Sequence, residues 1–266
     1  MREAHCKIIV GNTEVGIETR FKHASYPRLI SPAESITELF GIDVANDNVL
    51  TIGSCCPLST IQHYCEQRGG RTLQPIHDML RWFASTQIRN VASLGGNLVT
   101  ASPISDMNPV LAAMGAQLVL ASLDTDNSIQ RRTVPVTDFF VKYRTVDLQP
   151  DELVEMIQIP MLHPVLDYFE PFKQARRRED DISIVTSGQH LGLKIVDDKF
   201  VIDKAVLAFG GMAPTTILAT KTAQSMIGKE FCEATFQSAT DVLIQEMVLP
   251  ETVPGGQAAY RMTLCA

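Results

Sequence analysis

The chain has 266 residues, 45% of them hydrophobic and 20% charged, with a net charge of −7. This is globular composition, with room for one large domain or two ordinary ones. The acidic balance disfavours nucleic acid and anionic membrane surfaces, because phosphate recognition needs a basic footprint.

No apolar run approaches the roughly 18 residues of a membrane helix. The N-terminus lacks the apolar core of a signal peptide, so a cytoplasmic protein is the expectation. In chain order, "KIIVG" (7–11) reads as a short buried strand ending at Gly11, and "VLTIGS" (49–54) as another ending at Gly53. Pro57 suits a first helical turn, and Ile61, Tyr64 and Cys65 follow at helical spacing. Ile76, Met79, Leu80 and Phe83 form a second helical stripe, and Trp82 falls off it, at a partly exposed contact. A polar loop, "SLGGNLVTASPISDMNP" (93–109), precedes a helix over 109–114 that Gly115 stops.

Residues 116–122 and 131–136 read as strands around the hairpin "LDTDNS", and 152–160 as a half-buried strand ending at Pro160. From about 165 come four strand-like segments, "YFEPFKQA", "ISIVTSG", "HLGLKIV" and "KAVLAFGG", with "DDK" (197–199) as a hairpin turn. Helices over 215–227 and 232–248 close the chain. This succession predicts an antiparallel sheet with helices on one side, an α+β unit. A boundary in "LHPVLD" divides a first domain, 1–164, from a second, 165–266.

Cys6, Cys55, Cys56, Cys65, Cys232 and Cys265 form no C-x-x-C pair, and their spacing suits ordinary reduced thiols. The six histidines are scattered, so no metal site is expected. Two stretches carry candidate binding chemistry. In "VGNTEVG" (10–16), Gly11 tolerates positive φ and close approach, while Asn12 and Thr13 add donors beside successive backbone N–H groups. Taken alone, a plain strand-to-loop turn is the simpler reading.

"SLGGNLVT" (93–100) repeats that chemistry with Gly95, Gly96, Ser93, Asn97 and Thr100. Two such loops suit one ligand with two phosphates. Neither contains Lys or Arg, and G-x-x-x-x-G-K-[ST], G-x-G-x-x-G and G-x-S-x-G are absent from the chain. That argues against ATPase, Rossmann and hydrolase readings. Asp106 is either an acceptor for sugar hydroxyls or a helix cap. Phe83 is either core or a surface for a flat ring. "KQARRREDDIS" (173–183) is either an ion-paired solvated face or a charged gate over a nucleotide site.

"VGNTEVGIE", "LRWFASTQIRNVASLGGNLVTASPISDMNP", "FKQARRREDDISIVTSG" and "LAFGGMAPTTILATKT" closely resemble the flavin domain of the molybdenum hydroxylase family, in its xanthine dehydrogenase branch. The aldehyde oxidase branch tends to lack the aromatic at Phe83, to carry His at the Asn97 position and to depart in the "RRREDD" loop. The resemblance implies a PCMH-type (vanillyl-alcohol-oxidase-like) FAD-binding domain, followed by a smaller α+β domain like the CO dehydrogenase flavoprotein C-terminal domain.

By the same resemblance, Ile8, Ile9, Val10, Gly11, Asn12, Thr13, Glu14 and Val15 are similar to one FAD pyrophosphate loop. Ser93, Leu94, Gly95, Gly96 and Asn97 are similar to the other. Phe83 corresponds to the aromatic beside the flavin, Thr100 and Asp106 to polar cofactor contacts, and Val154 and Lys173 to contacts near the flavin end. The segment with Arg177, Glu179, Asp180 and Asp181 is similar to a loop governing NAD access. The resemblance implies an FAD-to-NAD⁺ or oxygen electron-transfer module, with no acid–base residue, in a purine-oxidising homodimer. Two [2Fe–2S] clusters and molybdopterin would belong to other domains of the same polypeptide, and the chain would be a fragment.

Overall fold

The strand Leu153–Pro160 buries Val154, Ile157 and Ile159. It is the third of five antiparallel strands, in the order Ile42–Ala45, Val49–Gly53, Leu153–Pro160, Gln117–Leu123, Ile129–Pro135. Leu50, Ile52, Leu118, Ile157 and Ile159 are fully buried on this sheet. The helices Leu58–Arg68 and Leu73–Arg81 cover them with Leu58, Ile61, Cys65, Ile76, Met79 and Leu80. Each of these leucine, isoleucine and methionine side chains contributes about 1.5–3 kcal/mol on burial. The computed structural model describes residues 6–45, 48–178 and 180–266.

The second sheet is also antiparallel, in the order Asp167–Ala175, Ser183–Val196, Lys199–Gly210, Ile217–Leu218. The expected segments 182–188 and 190–196 are one strand of 14 residues. Gln189, which separates them in sequence, is a ladder residue paired with both Glu170 and Leu207. Asp197 and Asp198 take φ of 48° and 61° and close a two-residue hairpin, a turn whose twist matches that of the strands. Helices Thr220–Met226 and Glu233–Glu246 pack Ala223's neighbour Met226, with Ala239 and Leu243, into the second core. The first of them starts later than expected because Ile217 and Leu218 pair with Phe209 and Ala208. A further helix, Ala258–Thr263, has no clear sequence periodicity.

Between the sheets lies the helix Met107–Met114, with all eight residues buried. It packs against the strands Ser183–Val196 and Lys199–Gly210. Contact is close because a Cβ on Gly188 would sit 2.6 Å from Pro109 O. The first core accordingly includes Phe169 and Ala208 of the second sheet.

Four local expectations need correction. The first strand is Cys6–Ile8, half-buried and paired in parallel with Arg28–Ile30, so it ends before Ile9. Pro57 is the N-cap of its helix, one residue before the first turn. Phe83 lies two residues beyond the helix Leu73–Arg81. The polar loop 93–109 contains a helix, Leu94–Thr100.

Candidate cofactor site

The first glycine-bearing stretch rests on the two residues that precede the second. A Cβ on Gly11 would lie 1.8 Å from Val91 O, so only glycine lets the first turn rest on residues 91–92. Ile9 N donates to Ile30 O at 2.9 Å, anchoring the turn to its neighbouring strand. Asn12 then takes a left-handed conformation, φ 56°. Among the described residues, no acceptor of the chain meets the N–H groups of Gly11, Asn12 and Thr13. Successive N–H groups in such a turn form an anion-binding concavity. The helix Val15–Phe21 follows, and Glu14 at its N-cap position is ion-paired with Arg144.

The second stretch is suspended from the sheet. Gly95 N donates to Ser54 O at 2.8 Å, and Ser54 N donates to Glu155 O at 3.0 Å. Glu155 is the residue skipped where Val119 pairs with Met156 and Leu120 with Val154. A Cβ on Gly95 would sit 2.6 Å from Ser54 Cβ, whereas one on Gly96 meets only Ser93 Oγ, at 3.0 Å. The adjacent glycines therefore differ: Gly95 permits packing, and Gly96 leaves an open face. Ser93 caps the helix by accepting from Gly96 N at 3.1 Å.

Asn108 N donates to Ser105 Oγ at 3.2 Å, and Ser105 Oγ donates to Asn97 Oδ1 at 2.8 Å. With its oxygen engaged, Asn97 has its amide N–H₂ to offer a ligand. Thr100 Oγ1 donates to Gly96 O at 2.8 Å. Neutral donors, an N–H concavity and an open glycine fit a pyrophosphate held without a lysine.

Asp106 occupies the N-cap position of the following helix but makes no capping bond with its side chain; Ser105 Oγ accepts from Asn108 N instead. The Asp106 carboxylate is buried, accepting from Lys173 Nζ at 2.7 Å and from the Ser183 hydroxyl. Burial raises its carboxyl above the ordinary value, against the pull of Lys173 and Ser183. Lys173 also donates to Trp82 O at 2.7 Å, which joins the second sheet to the segment bearing Phe83. Phe83 is half-buried and packs on the first core. Val154 and Leu94 point into that core, so their side chains are packing residues.

Beside Lys173 a cleft of about 370 Å³ is lined by Trp82, Gln174, Ala175 and Arg176 to Arg178. Two guanidinium groups lie over the Trp82 ring, Arg81 at 4.9 Å and Arg178 at 5.4 Å from its centre. The loop is closed by Asp181, whose carboxylate accepts from Arg177 N at 2.7 Å and Ile182 N at 2.9 Å. Arg177 Nη2 donates to Asp180 O at 3.1 Å. Glu179 lies outside the described residues. The arrangement is a cationic, aromatic-walled cleft in an acidic chain.

Residues 1–162 match the FAD binding domain in molybdopterin dehydrogenase, and residues 170–266 the CO dehydrogenase flavoprotein C-terminal domain. The chain belongs to this family of molybdenum-enzyme flavin domains. It is 39% identical over 267 residues to xanthine dehydrogenase of Oryza sativa subsp. japonica, covering 98% of this chain and 19% of that protein. It is 41% identical over 268 residues to xanthine dehydrogenase/oxidase of Gallus gallus, again covering 98% and 19%. The chain thus spans about a fifth of the length of the curated relatives it matches.

Among solved structures, carbon monoxide dehydrogenase from Hydrogenophaga pseudoflava superposes with a TM-score of 0.82 at 21% identity, covering 98% of this chain and 86% of the other. Quinoline 2-oxidoreductase from Pseudomonas putida 86 superposes at 0.79 with 22% identity, covering 98% and 85%. These two share the fold. The chain therefore carries an FAD-binding domain of the molybdopterin dehydrogenase type followed by a flavoprotein C-terminal domain.

Proposed function

We propose that this module connects the iron–sulfur and molybdopterin domains of one polypeptide to NAD⁺ during oxidation of hypoxanthine or xanthine to urate. The parent enzyme would be a cytoplasmic homodimer. FAD, when bound, supplies the redox chemistry, and the chain supplies binding, orientation and electrostatics. The first domain would run to residue 164 and the second from 165 to 266. The backbone N–H groups of residues 11–13, Gly96, the Asn97 amide and Thr100 would hold the pyrophosphate side. Asp106, Phe83, Lys173 and the Val154 backbone would hold the remainder.

The observation that carries the choice of acceptor is the cationic cleft beside Trp82 and Lys173, next to the loop that Arg177, Asp180 and Asp181 fold on itself. A dinucleotide brings phosphates for the guanidinium groups and flat rings for the aromatic wall. Oxygen needs neither. The test is anaerobic addition of NADH to the FAD-loaded chain. Bleaching of the visible flavin band supports NAD⁺ as the natural acceptor. A flavin inert to NADH yet readily reoxidised by oxygen after chemical reduction refutes it and favours an aldehyde oxidase-like module.

A further inference from the structure

Three consecutive carbonyls follow the helix Leu73–Arg81, and each meets a cation. Trp82 O accepts from Lys173 Nζ at 2.7 Å. Phe83 O and Ala84 O both accept from Arg89 Nη1, at 2.8 and 2.9 Å. A helix end leaves bare carbonyls and partial negative charge, so cations suit it. Yet this end is already closed by Trp82 N to Met79 O and Phe83 N to Leu80 O, both 3.1 Å. Arg89 therefore holds the turn beyond the helix.

The grip is specific to a guanidinium. Arg89 Nε donates to Gln62 Oε1 and Nη2 donates to Thr86 Oγ1, each at 3.1 Å, so all three nitrogens are engaged and the plane is fixed. Burial lowers the Arg89 pKa from its ordinary value, but a guanidinium stays protonated at neutral pH. The turn it holds is strained: Ala84 has φ 43°, a left-handed conformation that residues bearing a Cβ disfavour. That strain persists only where the surroundings over-determine it. What the turn presents is the Phe83 ring on the first core and the Trp82 ring in contact with Arg81 and Arg178.

We propose that Arg89 is a positioning residue of the cofactor site: its grip on the Phe83 and Ala84 carbonyls sets both aromatic rings before the cofactor arrives. The inference rests on the reading that Phe83 lies beside the flavin. Arg89 touches neither cofactor nor acceptor in this role. A purely structural cap would alter stability alone.

Trp82 is the single tryptophan of the chain, so its emission reports the turn without any cofactor. The 266-residue chain is compared with Arg89→Met, Arg89→Lys and Gln62→Met, each checked for cooperative unfolding. Arg89→Met is expected to shift Trp82 emission, increase its quenching by acrylamide, and raise the FAD dissociation constant about tenfold, as for loss of one charged hydrogen bond. Arg89→Lys recovers part of both changes, since an ammonium lacks the fork. Gln62→Met moves both readouts less and in the same direction.

A folded Arg89→Met chain with wild-type Trp82 quenching, or with wild-type FAD affinity, overturns the proposal. If Arg89→Met does not fold, Gln62→Met decides by the same two readouts. A wild-type chain that takes up no FAD refutes the cofactor reading itself, whereas normal uptake with unchanged variants refutes only the role of Arg89.

Discussion

Replacing Lys173 by methionine tests the contact that joins the two halves of the site. The Lys173 and Asp106 side chains are 8% and 9% exposed and 2.7 Å apart. Removing one partner of such a buried pair costs about 3–5 kcal/mol, because the other charge stays buried and uncompensated. Trp82 O loses its donor as well. The expected loss is a large fraction of the roughly 5–15 kcal/mol typical of a folded domain. Urea unfolding of the cofactor-free chain, followed by far-ultraviolet circular dichroism, measures it.

The pH dependence gives a second, independent signature. Burial already raises the Asp106 carboxyl in the folded state, and loss of Lys173 raises it further. The folded variant then takes up a proton that the unfolded chain does not hold, so folding gains stability as pH falls. The cost of Lys173→Met is therefore largest at neutral pH and shrinks as pH falls through the raised value. Adding Asp106→Asn to Lys173→Met keeps an acceptor for Ser183 and removes the stranded charge. The double variant should regain about 2 kcal/mol or more over the single one. A Lys173→Met cost below about 1 kcal/mol, or strict additivity with Asp106→Asn, refutes the reasoning, since that is how an exposed pair behaves.

The adjacent glycines should separate folding from binding. Gly95→Ala places a Cβ 2.6 Å from Ser54 Cβ and should lower the melting temperature, whereas Gly96→Val should melt near wild type and lose FAD; full flavin retention by Gly96→Val would sink the loop assignment. The thiols should divide by burial. Cys56 and Cys65 are pushed up to about 12 and Cys265 to about 11 by desolvation, while a hydrogen bond with Thr235 lowers Cys232. At mildly alkaline pH an aromatic disulfide reagent should modify Cys232 rapidly and reach the other three only in denaturant, as peptide mapping would reveal.

The sheets were legible where burial imposes a pattern. Val49–Gly53 and Leu153–Pro160 announce themselves through apolar residues bounded by Gly53 and Pro160. The helix Leu94–Thr100 did not, because Gly95, Gly96 and Asn97 are poor helix formers held by the Ser93 cap and the bond to Ser54. Arg28–Ile30 is exposed along its length and carries no burial signal. In the site, residue types in the two stretches suggested neutral donors beside glycine turns, but not how the stretches approach one another. The packing of Gly11 on Val91, and of Lys173 on Asp106 and Trp82, spans long separations that no local pattern encodes. Ser54 and Ser183 had no local signal at all, since each acquires its role from a distant partner.

The helix Met107–Met114 has no side left for solvent. It is carried by the stretch that matches the FAD-binding domain, yet half of its cover comes from strands of the stretch that follows. Separated, the first piece would offer water an apolar rod and the second a bare sheet face. The two pieces are obligate companions, like a tenon and its mortise. Exchange between related chains would then succeed when it moves both together, and a swap of either alone would have to refit the contact of Gly188 with Pro109.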